Sequence, residues 1–218
     1  MIGHSCLVGD IYQCRLDALE QTWGIWGRIG KELTEEQWSR PSRCSGWDVA
    51  ALYGHYSRFP LGMSTPPSAA DDPDRELLTA VELMKRFQSP DGVAQAAAGL
   101  VADGAVAEAA AHTWQELVDR FVVHGPRALK VLRLTEPTLV VRWPMSDYLI
   151  TVVEGLRVAL LEATVHLLDV QRALDHPPEV PLEALRDTVR LLAGIAPPVE
   201  FIEAATGRST QSPFPVLR

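Results

Sequence analysis

Residues 152–175 read VVEGLRVALLEATVHLLDVQRALD. Apolar side chains dominate the stretch, yet Glu162 and His166 stand four positions apart within it. The periodicity predicts a helix, and on a helix both side chains leave one face, one turn apart. A carboxylate and an imidazole at that spacing are ready-made ligands for a divalent cation. A buried, unpaired glutamate costs several kcal/mol, so Glu162 needs a partner or a cation. A salt bridge to Arg157 or Arg172, or exposure on a polar face, would meet the same need without a metal.

Working outward, a third candidate ligand is His55, in the amphipathic stretch WDVAALYGHYSRF at 47–59. Two imidazoles and a carboxylate would fill three positions of a tetrahedral zinc site and leave one open, the pattern of a catalytic metal. Alone, a histidine on a helix is more often a satisfied core or surface residue than a ligand.

The rest of the chain also reads as helical. Residues 10–32 carry Ile11, Leu16, Leu19, Trp23, Trp26 and Ile29 at near-helical spacing. A loop containing Pro41 and Gly46 follows, and Trp47 or Asp48 opens a second helix that stops before Pro60. Residues 60–74, with four prolines, predict a long loop. Helices are expected over 75–88 and over 112–131, the latter broken near Gly125–Pro126. The Ala- and Gly-rich stretch 91–111 could be helical but supplies little anchoring core. Residues 132–145 are the only strand-like piece. Ser146 or Asp147 is expected to cap the helix that carries Glu162 and His166 to about Leu174. One more helix precedes Pro197–Pro198, and the tail, from about residue 204 to 218, is irregular. The expected architecture is all-α: one bundle domain over 1–218, with four main helices, additional short helices and a long crossover.

Composition narrows the function classes. A net charge of −8, with no dense Lys/Arg cluster, argues against a nucleic-acid partner. Cys6, Cys14 and Cys44 make an odd count without a CxxC pair, which points to a reducing cytoplasm rather than a disulfide framework. The N-terminal residues lack the basic and apolar regions of a signal peptide. The longest apolar stretch, near 148–168, is interrupted by Glu154, Arg157, Glu162 and His166, which excludes it as a membrane span. A homodimer is compatible with an apolar-rich bundle, and nothing in the sequence fixes it.

Two segments carry a family resemblance. PSRCSGWDVAALYGHYSRF (41–59) resembles the first signature of the mycothiol-dependent maleylpyruvate isomerase family, part of the DinB-like metal-binding superfamily. LLEATVHLLDVQRALD (160–175) resembles its second signature, and GRSTQSPFPVL (207–217) its closing segment. The resemblance implies a DinB-like four-helix bundle holding a divalent metal on His55, Glu162 and His166. The usual metal of such proteins is zinc, with nickel or iron in some, and the usual co-substrate is a low-molecular-weight thiol, mycothiol. Two departures stand out. The stretch after Asp175 is too short for the isomerase's additional C-terminal domain, and residues 60–111 match no substrate-binding motif.

Asp169, three residues after His166, could orient a ligand histidine or pair with Arg172 or Arg40. Trp47 and Cys44 are expected to be structural, Trp47 packing the start of the second helix and Cys44 as a small buried residue. His112 and His124 are expected in surface or core roles, and Arg120 and Arg127 are candidate anchors for a substrate carboxylate. The function expected from the resemblance is a metal- and thiol-dependent isomerase or S-transferase acting on a small electrophilic molecule. The alternatives are a metal-dependent lyase or hydrolase without a thiol, and a non-catalytic metal- or ligand-binding bundle.

Overall fold

The computed structural model describes residues 8–70, 72, 74–89, 92–144, 146–209 and 214–216. Cys6, residues 71 and 73 of the Pro-rich loop, and residues 210–213 and 217 of the closing segment lie outside them. In chain order the elements are α1 (Val8–Glu32), α2 (Glu35–Trp38), α3 (Val49–Tyr56), α4 (Arg58–Gly62), β1 (Leu77–Leu78), α5 (Ala80–Phe87) and α6 (Val93–Ala111). Then follow α7 (Trp114–Asp119), a π-helical turn (Arg120–His124), α8 (Gly125–Arg133), β2 (Val140–Arg142) and β3 (Leu149–Thr151). The chain continues with α9 (Val152–Ala173), α10 (Leu182–Ile195) and α11 (Pro198–Ala205).

Four helical stretches enclose the main core: α1, α3–α4, α7 through α8, and α9. Aromatic residues fill it. The Trp26 ring stacks on Phe121 with centroids 5.1 Å apart, and Tyr53 meets Trp26 edge-on at 4.8 Å. The polar ends of these rings are all used. Trp26 Nε1 donates to Ala163 O (3.1 Å), Tyr53 Oη to Trp26 O (2.8 Å) and Tyr56 Oη to Ala159 O (3.3 Å). The Tyr56 and Trp26 bonds fix α3 and α1 against α9 at the level of Glu162. On the other side of α9, α10 is held by a buried ionic link: Arg15 Nε lies 3.0 Å from Asp187 Oδ2, while Arg15 Nη1 donates to Val153 O.

The long crossover contains α6, whose helical form resolves the ambiguity of the Ala/Gly-rich stretch. Its small side chains let α3 approach closely, and an added Cβ on Gly54 would stand 2.5 Å from the backbone oxygen of Ala105. Bulkier residues on α6 would hold α3 away.

Several boundaries differ from the sequence reading. The second helix stops at Tyr56, before Pro60 as expected, but a separate short helix, α4, follows to Gly62 with Pro60 in its first turn, where the missing N–H has no helical partner to lose. Residues 75–79 are not helical; Leu77–Leu78 form a strand, and Thr79 caps α5 through a reciprocal box with Glu82. Neither Ser146 nor Asp147 caps α9. Leu149–Thr151 pair instead as the central strand of a small sheet, parallel to β1 and antiparallel to β2, and α9 starts after Thr151. The break at Gly125–Pro126 is a change of helical register: Gly125 N donates to Arg120 O, five residues back. Pro198 opens a further helix, α11, that the sequence reading did not include; it ends at Ala205, where the irregular tail was expected to begin.

Candidate metal centre

His55 sits in the last turn of α3, which is started by Asp48, whose carboxylate accepts a hydrogen bond from Ala51 N at 2.8 Å. Glu162 and His166 leave α9 one turn apart. The two helices bring the three side chains together. Glu162 Oε2 lies 3.4 Å from His166 Nε2 and 3.9 Å from His55 Nε2, and the three ligand atoms fall within 4.8 Å of one another. Two nitrogens and one oxygen around a tetrahedral ion at ordinary bond lengths stand about 3.3–3.6 Å apart. The Glu162–His166 spacing falls in that range, and the Glu162–His55 spacing exceeds it by a few tenths of an ångström. Two imidazoles and a carboxylate suit zinc, nickel or iron alike. Among the described residues no fourth His, Cys, Asp or Glu joins this group. The side chains keep 14–27% of their surface exposed, so a small molecule can reach them.

Asp169 backs His166. Its Oδ2 lies 3.1 Å from His166 Nδ1, the place for a carboxylate that accepts Nδ1–H and turns the Nε2 lone pair toward Glu162. Asp169 is itself held by Arg43, whose Nη2 donates to Oδ1 at 2.7 Å, and by the Cys44 thiol at 3.5 Å. Arg43 and Cys44 belong to a tight hairpin whose ends pair at Pro41 and Asp48 and whose turn needs the positive φ of Gly46. Trp47, the next residue, lays its ring against both ligand imidazoles, 4.9 Å from His55 and 6.0 Å from His166, and donates Nε1–H to Ala102 O on α6.

The charges report what the site wants. Burial alone would raise Glu162, but hydrogen bonds and charge from His166 and His55 outweigh it and hold the carboxyl far below its usual range. Burial alone would lower His166, but hydrogen bonds to Asp169, Cys44 and Glu162 hold it well above its usual value. Asp169 is likewise drawn down against its burial by His166 and Arg43. Between two anions His166 keeps a proton, so the cluster calls for positive charge in the position a metal ion would take.

Residues 19–171 match the mycothiol maleylpyruvate isomerase N-terminal domain family. The chain belongs to that family. Its mostly helical bundle is the DinB-like fold of the mycothiol maleylpyruvate isomerase N-terminal domain. The matched span includes His55, Glu162, His166 and Asp169. No curated protein and no solved structure matches the chain.

The remaining candidates fall elsewhere. Arg120 is not a substrate anchor: it is buried, with Nη2 2.7 Å from Glu108 Oε1 and Nη1 donating to Ser57 Oγ at 3.2 Å. His112 sits at the end of α6 with Nδ1 3.1 Å from Glu108 O, His124 closes the π turn half-buried, and Arg127 is exposed on α8. Cys44 is half-buried rather than buried, and Cys14 is exposed. A pocket of about 580 Å³ opens beside the hairpin, lined by Cys44, Trp47 and Trp114 among others, and its lining does not include His55, Glu162 or His166. Sequence reasoning missed Arg43 as the partner of Asp169; no spacing rule connects a loop arginine to a helix 126 residues away. Among the described residues, no helix is long and apolar enough to cross a membrane.

Proposed function

We propose that this chain is a metal-dependent enzyme that uses a low-molecular-weight thiol of the mycothiol type. The reaction is isomerisation of, or thiol S-transfer to, a small electrophilic substrate. The observation that carries the reading is the convergence of His55 Nε2, Glu162 Oε2 and His166 Nε2, with no fourth protein ligand among the described residues. Membership of the mycothiol maleylpyruvate isomerase N-terminal domain family supports the thiol.

A zinc ion on these three ligands supplies Lewis acidity that favours the thiolate form of a thiol at neutral pH. The chain's own residues do the rest. Glu162 would contribute negative charge, and His55 and His166 would each present an Nε2 lone pair, His166 after giving up the Nε2 proton that it holds between the two anions. Asp169 keeps the His166 proton on Nδ1, and Trp47 walls the ligand imidazoles. Thiolate addition to an activated alkene, rotation about the new single bond and thiolate loss give cis–trans isomerisation. Addition alone, or displacement of a leaving group, gives S-transfer.

The test is the metal content of protein purified without tag or chelator, wild type beside His55→Ala, followed by turnover of activated alkenes with and without thiol. Near-stoichiometric zinc that is lost in the variant, with thiol-dependent turnover, is the expected result. Folded wild-type protein that refuses zinc, nickel and iron overturns the reading. Metal uptake with thiol-independent turnover moves it to a lyase or hydrolase.

A further inference from the structure

His166 is shared by two groups of ligand atoms. Its Nε2 faces His55 and Glu162, and its Nδ1 faces Asp169 and Cys44. In the second group His166 Nδ1 is 3.1 Å from Asp169 Oδ2, and Cys44 Sγ is 3.5 Å from the same oxygen. The three atoms again lie within 4.8 Å of one another. For a tetrahedral zinc with ordinary Zn–N, Zn–O and Zn–S bonds, the N···O edge is about 3.4 Å and the S···O edge about 3.6 Å. The observed spacings are within a few tenths of an ångström of those edges.

We propose that Cys44, His166 and Asp169 form a second seat, alternative to the first, for a soft divalent cation such as zinc or cadmium. Three observations support it. Arg43 occupies Asp169 Oδ1 and leaves Oδ2 facing the thiol and the imidazole. Cys44 also lines the pocket of about 580 Å³, which brings solvent to the side of the seat that the thiol occupies. The seat offers a thiolate and a carboxylate, so it favours soft cations over hard ones such as manganese.

The two seats exclude each other. A neutral imidazole has one lone pair: the first seat needs it on Nε2 with the proton on Nδ1, and the second needs the reverse. On binding at the second seat, the S–H and Nδ1–H bonds break and metal–S and metal–Nδ1 bonds form. The thiol proton and the Nδ1 proton leave to solvent, and Nε2 keeps its own proton. A soft cation there withdraws His166 from the first seat, so zinc in excess, or cadmium, inhibits whatever the first seat does.

The decisive protein is His55→Ala/Glu162→Gln, which lacks the first seat, titrated with Co²⁺. One Co²⁺ per chain with thiolate-to-cobalt charge-transfer absorption is expected. Adding Cys44→Ser removes that absorption and at least tenfold of the affinity. Co²⁺ uptake without the absorption, or refusal of both Co²⁺ and Cd²⁺ by a variant with wild-type circular dichroism, overturns the proposal. Should the double variant not fold, wild-type protein decides by alkylation followed peptide by peptide. Cd²⁺ slows alkylation of Cys44 at least tenfold and leaves exposed Cys14 unchanged, while Mn²⁺ slows neither. An unchanged Cys44 rate in Cd²⁺ overturns the second seat. That failure leaves metal uptake through His55 and Glu162 untouched, so the two readings stand or fall separately.

Discussion

Asp169 Oδ2 lies 3.1 Å from His166 Nδ1, while His166 Nε2 faces Glu162 across 3.4 Å. One imidazole is thus held from both sides by carboxylates, Asp169 at Nδ1 and Glu162 at Nε2. Asp169→Asn keeps the shape and removes the charge that favours the Nδ1–H tautomer. Loss of such a partner typically weakens metal binding about 10–100-fold. Zinc affinity by competition with a chromophoric chelator is expected to fall within that range, with unchanged far-ultraviolet circular dichroism. An unchanged affinity would mean that Asp169 serves only to hold the 41–48 hairpin.

The direction of the titrations sets a pH signature. His166 is raised, so in metal-free protein its stabilisation is complete below its unfolded value of about 6.5 and is lost as pH rises through its folded value. Glu162 and Asp169 are lowered, so theirs is complete above the unfolded carboxylate range of about 4 and is lost as pH falls. Metal-free protein is therefore expected to gain most from these groups between about pH 5 and 6. Metal must displace the His166 proton, so apparent zinc affinity rises about tenfold per pH unit until His166 deprotonates. Melting curves in chelator and in zinc should diverge as pH rises from 6 to 8; parallel curves would place the cation away from His166.

How much of this was written in the sequence depends on the range of the forces involved. Glu162 and His166 were legible because helix geometry converts four residues into one turn. His55 was a candidate from its amphipathic stretch, and the family signature strengthened it; that it meets Glu162 and His166 was not readable, since α3 and α9 meet through core packing that no spacing reveals. The strand Leu149–Thr151 was hidden because its apolar, β-branched run also suits a helix start, and its partners at 77–78 and 140–142 are distant in sequence. The start of α5 was readable and overlooked: Thr79–Ala–Val–Glu82 is a capping box. The same signal at Thr113 and Glu116 marks α7. The Arg43–Asp169 and Cys44–Asp169 contacts were not readable, because a hairpin turn carries them across to α9.

Arg120 illustrates a buried charge with a structural task. It joins the π turn to α6 through Glu108 and to the end of α3 through Ser57. Arg120→Met leaves Glu108 with only His112 among the described residues, 3.7 Å away, and Glu108 keeps 24% of its side chain exposed, so the loss should be below that of a fully buried pair, about 2–3 kcal/mol. The double variant Arg120→Met/Glu108→Gln should recover at least half of it, because no uncompensated charge remains. Urea melts of the two variants check this, and a double variant no better than the single would show that the guanidinium packing, not the pairing, matters.

Gly54 tests whether the approach of α3 to α6 positions His55. A Cβ there meets Ala105 O at 2.5 Å and Ala109 N at 2.9 Å, both backbone atoms that cannot rotate away. Gly54→Ala therefore forces the two helices apart, at a cost of about 1–3 kcal/mol that exceeds the gain in helix propensity of up to about 1 kcal/mol. Because His55 is the next residue, the shift carries Nε2 away from Glu162, and zinc affinity should fall together with melting temperature. Gly24→Ala on α1, where an added Cβ meets nothing within 4 Å, is the control and should leave zinc affinity unchanged while raising stability slightly. A Gly54→Ala protein that is less stable yet binds zinc like wild type would place the control of His55 in the contact of α3 with α9, at the Tyr56–Ala159 hydrogen bond, rather than in the contact with α6.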